Sequence, residues 1–81
     1  MQEETCYYIY SPEIERFYSR TIYATKGTRR VFAGQDNAHE YNSPEVAKVT
    51  LLILMHEGYY VQVIDDYGEV YYDSEEVYHS L

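Results

Sequence analysis

Three kinds of side chain in this sequence have the means for chemistry: three histidines, one cysteine and fourteen carboxylates. His39-Glu40 and His56-Glu57 set metal-ligand types side by side. Zinc sites draw on spacings such as H-x-x-x-H and C-x-x-C, which bring two ligands together. Neither spacing occurs, and His79 stands apart near the end, so no metal site and no cofactor are expected. Asp65-Asp66-Tyr67-Gly68-Glu69 has the composition of a calcium loop without its alternating ligands, and a hairpin turn accounts for it better. Nucleophilic catalysis needs a thiol or hydroxyl beside a base and the group that orients it. Cys6 lies in an apolar run and reads as inert. There is no G-x-S-x-G element, and the four glycines are too dispersed for a phosphate loop. Paired carboxylates can do acid–base work, but a sheet built from 81 residues has little room for a deep cleft. No enzyme activity is expected.

The carboxylates matter more for where they lie. All six Lys and Arg residues fall at or before Lys48, so the last 33 residues carry none. Those residues hold seven acids (Glu57, Asp65, Asp66, Glu69, Asp73, Glu75 and Glu76) and six of the twelve tyrosines. The first 48 residues, with seven acids and six bases, are nearly neutral, so the formal charge of −8 is mostly local. Such a one-sided field favours a basic partner and disfavours direct contact with nucleic acid or an anionic membrane. Tyrosine is large, fairly rigid, apolar on its face and polar at its tip, which suits it to interfaces. Asp65, Asp66, Tyr67, Glu69, Tyr71, Asp73, Glu75 and Glu76, joined by Tyr60, form the candidate partner-binding surface.

One small domain spanning residues 1–81 is expected. A chain of this size buries only roughly 60% of the surface it exposes when unfolded, so its core is thin. The 46% hydrophobic content and twelve tyrosines exclude a disordered chain. A single cysteine excludes an internal disulfide and fits a reducing cytoplasm. MQEETCYYIY puts acids where a signal peptide needs bases. The longest apolar stretch, Val49 to Met55, is far too short to span a bilayer. The expected location is the cytoplasm of a host bacterial cell.

These residues need elements to position them. Met1 to Thr5 reads as a frayed end. Cys6 to Tyr10 is a strand closed by Ser11-Pro12, and Glu13 to Arg16 reads as a wide loop or one helical turn. Phe17 to Thr25 and Arg29 to Ala33 are strands joined through Lys26-Gly27-Thr28, with a loop from Gly34 to Asn42. A helix follows. Ser43 is its N-cap, Pro44 fits the first position, Glu45 complements the dipole, and Gly58 closes it after Glu57. Ala47, Leu51, Leu54 and Met55 share one face, flanked by Val46 and Ile53. Leu52 falls on the polar side among Glu45, Lys48 and His56 and is a candidate contact point. Tyr59 to Asp65 is a strand, with Tyr59, Val61 and Val63 on one face and Tyr60, Gln62 and Ile64 on the other. Asp65 to Gly68 turns the chain into Glu69 to Asp73, with Val70 and Tyr72 expected inward and Glu69, Tyr71 and Asp73 outward. Ser74-Glu75-Glu76 caps a last short turn carrying Val77 and Tyr78. The fold class is α+β: an antiparallel sheet of four to five strands in the order β-β-β-α-β-β, with one helix packed on one face. Tyrosines on the uncovered face are a way to build a binding site.

Ala38, Tyr41, Ser43, Glu45, Ala47, Gly58, Tyr59, Val61 and, one place late, Ile64 follow the pattern A-x-x-aromatic-x-S-x-E-x-A, helix, G-Y-x-V-x-I. In this the segment from Asn37 to Asp66 resembles small accessory proteins of bacterial viruses and prophages. The resemblance covers a little over a third of the chain. It implies a hairpin-helix-hairpin fold and a phage origin, and carries no catalytic residues. The acidic second half departs from the Lys-rich balance of many such proteins. Small acidic phage proteins include inhibitors of host defence such as anti-CRISPR proteins, some of which imitate DNA.

The leading expectation is therefore a non-catalytic inhibitor. It would use the acidic, Tyr-rich surface to block a basic nucleic-acid-binding site of a host nuclease or effector, such as a CRISPR effector. Carboxylates would pair with Arg and Lys where phosphates bind, and Tyr would stack on guanidinium planes. An alternative is a structural or assembly module that homodimerises or docks into a larger complex through Leu52 and the exposed sheet face. A third reading uses Arg16, Arg20, Lys26, Arg29 and Arg30, interleaved with Phe17, Tyr18, Tyr23 and Phe32, as a stacking platform for nucleic acid. Ordinary ion pairing of these bases with the excess acids is the plainer account.

Overall fold

The computed structural model describes residues 5–81; the expected frayed end lies, apart from Thr5, outside them. The first strand, β1 (Tyr7–Ser11), turns through Pro12–Glu15 into β2 (Arg16–Ala24), where Glu15 takes a positive φ of 53°. The two-residue turn Thr25-Lys26 leads to β3 (Gly27–Ala33), one residue tighter than expected, with Gly27 paired to Ala24 at a positive φ. A single 3-10 turn (Gln35–Asn37) interrupts the loop before helix α1 (Pro44–His56). Then come β4 (Gln62–Asp65), β5 (Val70–Asp73) and a six-residue helix α2 (Ser74–His79).

Local chemistry ends α1 as its sequence requires. The Ser43 hydroxyl accepts from the Val46 amide at 3.2 Å, and Pro44 sits where no intrahelical donor is needed. At the other end Gly58 adopts φ 98°, which lets its amide reach Met55 and the Tyr59 amide reach Leu54, both at 3.0 Å. That pair of bonds is a Schellman closure, and it needs a residue without a Cβ penalty at positive φ.

The five strands form one antiparallel sheet in the order β3-β2-β1-β4-β5. The α+β class and the β-β-β-α-β-β order are as the sequence indicates. Helix α1 lies on one face. Its Ala47, Leu51 and Leu54 pack with Ile9, Val61, Val63, Tyr18 and Tyr41 into a core whose aliphatic members are fully buried. β1 pairs with β2 only at Tyr10 and Ser11, and on the N-terminal side of Tyr10 the two strands separate. Residues 39–41 fill the gap, with the His39 amide bonded to the Tyr18 carbonyl and Tyr7 bridging Tyr41. Beyond that point β2 and β3 continue as a two-stranded ribbon. Among the described residues no helix is long and apolar enough to cross a membrane.

Candidate functional site

The site is built on the β4–β5 hairpin and its turn. The Gly68 amide bonds the Asp65 carbonyl at 3.1 Å, Gly68 takes φ 83°, and the Asp65 amide bonds the Glu69 carbonyl. This is a type of three-residue hairpin loop that requires positive φ at its last position. Asp65 organises it. Its Oδ1 accepts the amides of Tyr67 (2.8 Å) and Glu69 (3.0 Å), and its Oδ2 accepts the Tyr71 phenol (3.0 Å). The residue is only 4% exposed. Burial pushes its carboxyl up, but the two amides and the phenol outweigh that and hold it below the usual carboxylate range. Asp65 therefore holds the turn together and does not present its carboxylate to a partner.

The same pairing recurs twice. Asp66 is exposed, yet its Oδ1 accepts the Tyr8 phenol at 2.8 Å and its Oδ2 the Cys6 amide at 3.2 Å. Asp73 accepts the Tyr60 phenol (2.7 Å) and the Gln62 amide (2.8 Å) on one oxygen, and the Glu75 and Glu76 amides on the other. Burial pushes Asp73 up, and these four donors more than reverse it. The tyrosines respond in the opposite sense. Burial and the Asp66 carboxylate push Tyr8 up to about 12, and the Asp65 carboxylate with burial pushes Tyr71 up to about 12. Asp73 raises Tyr60 in the same way.

The hairpin differs from the sequence expectation in one register detail. A β-bulge between Val63 and Ile64 pairs Ile64 with Val70, and Val63 with Tyr72. Tyr72 faces the helix as expected, but Val70 lies on the opposite face and is 47% exposed. Tyr71, expected outward, turns edge-on against Tyr7 at 5.2 Å between ring centres. The cap of α2 also moves back one residue, to Asp73. Ser74 is buried, where its hydroxyl accepts the Val61 amide at 3.0 Å and its own amide bonds the Val61 carbonyl.

Of the residues expected to meet a partner, Glu69, Glu75, Glu76 and Tyr67 are exposed, Tyr67 by 82%. Asp66 is exposed and engaged, Asp73 and Tyr60 are half-buried and engaged, and Tyr71 is exposed with its hydroxyl engaged. Leu52 is not an isolated surface residue. It packs against the rim of the core, and the outward side of α1 instead carries Val46, Val49 and Ile53, 47–60% exposed.

The face of the sheet opposite α1 carries a groove of about 430 Å³ that the sequence reading did not single out. Tyr10, Phe17, Gln62 and Ile64 line it together with Asp66 and Tyr67 of the turn. Tyr10 and Phe17 are cross-strand partners with ring centres 5.0 Å apart, and the Tyr8 ring meets Phe17 edge-on at 5.8 Å. The signal for it was the alternation in Tyr7-Tyr8-Ile9-Tyr10. This sends Ile9 to the core and Tyr8 and Tyr10 to the other face.

Of the bases, only Lys48 reaches this site, where it lines a cleft with Tyr71, Asp73 and Glu76. Arg30 donates to both carboxylate oxygens of Glu57 from one guanidinium edge (Nε and Nη2) and to the Thr21 hydroxyl from Nη1 at 2.6 Å; Arg30–Glu57 is the one ion pair among the described residues. Lys48 stands 4.7 Å above the Tyr72 ring. Strand register sends Arg20, Arg29 and Phe17 to one face of the sheet and Arg30 with Tyr18, Tyr23 and Phe32 to the other. Each face keeps only part of the interleaving seen in the sequence, and Arg30 is engaged by Glu57. Among the described residues no group of three His, Cys, Asp or Glu side chains is placed to hold a metal ion. In comparisons with known proteins, no family model, no curated protein and no solved structure matches this chain.

Proposed function

We propose that this protein is a non-catalytic binding protein whose hairpin end occupies a basic, nucleic-acid-binding surface of another protein. The observation that supports this best is the division of labour among its acids. Asp65, Asp66 and Asp73 are tied to tyrosines and backbone amides, which stiffens the hairpin, while Glu69, Glu75 and Glu76 stand exposed around it. A stiff hairpin carrying these carboxylates, with Lys48 the one base that shares a cleft with Glu76, lowers the entropy lost when Arg and Lys of a partner pair with them. The field of the acidic half also speeds encounter and makes binding weaken with salt. The resemblance of Asn37 to Asp66 to small phage proteins makes a host defence nuclease, a CRISPR effector among them, the first target class to try. Blocking would follow from occupying the place of the phosphates.

The test is capture from nuclease-treated bacterial lysate by the immobilised protein, compared with a triple variant Glu69→Lys, Glu75→Lys, Glu76→Lys. We expect nucleic-acid-binding proteins that elute with salt from the parent and are missing from the variant. Equal capture by a folded triple variant sinks the reading.

A second reading, an assembly module, rests on the Val46, Val49 and Ile53 stripe of α1. It predicts an oligomer in sedimentation that survives about 0.5 M salt, where the screening length is only a few Å. Val49→Asp should dissociate it.

A further inference from the structure

The groove on the open sheet face has a chemical character of its own. Its floor is aromatic and aliphatic, from Tyr10, Phe17 and Ile64. Its one charged group at the surface is the Asp66 carboxylate, and its other polar side chains, Gln35, Gln62, Tyr10 and Tyr67, can each accept as well as donate. Asp66 receives two hydrogen bonds, and an ionised carboxylate has about four acceptor sites. The side-chain amide of Gln62 donates to Asp73 and Tyr60, while its carbonyl oxygen receives no hydrogen bond from another described residue. The hydroxyls of Tyr10 and Tyr67 can accept. No Lys or Arg lines the groove. An anion would be repelled there, and an uncharged apolar group would make no use of the carboxylate's charge.

We infer that the groove accepts an arginine side chain presented by the partner protein. A guanidinium is flat, stacks on aromatic faces and carries five donors in a fixed fork. It would lie against Phe17 and Tyr10 with Tyr67 closing over it, and donate to Asp66 and the Gln62 carbonyl. An ammonium has no plane to stack and is more strongly hydrated, so lysine fits less well. The volume of about 430 Å³ falls in the range of small-ligand clefts. This inference rests on the basic-partner reading and narrows it to one side chain in one place.

The experiment is an amide NMR titration of the whole chain with N-acetyl-arginine amide, its citrulline counterpart and its lysine counterpart. Citrulline keeps the shape of arginine and removes its charge. Saturable shifts at Tyr10, Phe17, Ile64 and Tyr67 are expected with arginine, with lysine weaker and citrulline weaker by at least about tenfold (about 1.4 kcal/mol). Tyr67→Ala and Asp66→Asn should each weaken arginine while leaving the other amide signals in place. Equal response to citrulline, no saturable shifts, or shifts confined to a separate cleft that Tyr59, Glu75 and Tyr78 line overturn the assignment. Groove signals that move on concentrating the protein alone would make a second copy the occupant, and also overturn it. If arginine fails here while the triple glutamate reversal still abolishes capture, the pocket is wrong and the basic-partner reading stands. If the reversal has no effect either, both fall.

Discussion

Tyr8 and Asp66 lie 58 residues apart in the chain, and the phenol of one donates to the carboxylate of the other at 2.8 Å. The bond ties the first strand to the tip of the last hairpin across the open face of the sheet. With Tyr71–Asp65 and Tyr60–Asp73 it forms a set of three phenol–carboxylate pairs. An acidic surface is thereby partly converted into a framework.

Alkaline titration should expose that framework. Tyr8 and Tyr71 are raised from 10.0 to about 12, so in the folded protein they keep their protons while the unfolded chain loses them. Their contribution to stability is complete below pH 10 and is lost as the pH rises through about 12. Absorbance titration should show a late phase from Tyr8 and Tyr71 near 12, with unfolding overlapping it. Tyr71→Phe should remove one tyrosine from the late group. A single phase near 10 in a folded protein would contradict the pairing.

Acid should act on the same pairs from the other side. Asp65 and Asp73 are held below the usual 3.8, so the stability they add is present above that value and is lost as the pH falls through their lower folded values. Asp65→Asn should move the acid midpoint of unfolding upward, measured by circular dichroism. Asp65→Lys should disrupt the hairpin outright, because it removes the acceptor of three bonds and puts a cation in a buried site. The triple reversal at Glu69, Glu75 and Glu76 moves the net charge from −8 to −2 and should leave the domain folded with a modestly lower thermal midpoint, because Glu75 and Glu76 lie in the first turn of α2, where acids complement the helix dipole.

Ser74 joins α2 to the start of β4. Replacing it with alanine leaves the amide of fully buried Val61 without its partner. An unsatisfied buried group of this kind costs about 1–3 kcal/mol. Urea unfolding of Ser74→Ala should show that loss, and hydrogen exchange at Val61 should accelerate. An unchanged midpoint would mean that α2 is held without this bond.

Leu51 and Val49 stand two residues apart on α1 and should behave oppositely. Leu51 is fully buried, and Leu51→Ala should lose about 2–5 kcal/mol through lost burial and the cavity left behind. At roughly 4–8 °C per kcal/mol for a domain of this size, the thermal midpoint should fall well clear of error. Val49 is 60% exposed, and Val49→Ala should be close to neutral in the monomer. A large loss at Val49 that depends on protein concentration would favour the assembly reading.

Much of the fold was legible because it is decided locally. Ser43, Pro44 and Gly58 mark both ends of α1, and the spacing of Ala47, Leu51 and Leu54 sets its buried face. Asp65 to Gly68 announces a turn, and the alternation through Val61, Gln62, Val63 and Ile64 assigns both faces, although β4 begins at Gln62 and not at Tyr59. The concentration of acids and tyrosines after Lys48 was equally plain. Tertiary structure alone decided which of these acids meet solvent. Nothing near Asp66 in sequence indicates that Tyr8 will cap it, and the bulge at Val63/Ile64 that redirects Val70 and Tyr71 arises only when β5 meets β4. The groove likewise needs Phe17 of β2 beside Tyr10 of β1 and Tyr67 from the hairpin tip. Periodicity and capping act over a few residues, so sequence carries them directly. Pairing between distant strands fixes register and side-chain partners together, and it appears only when the chain has closed.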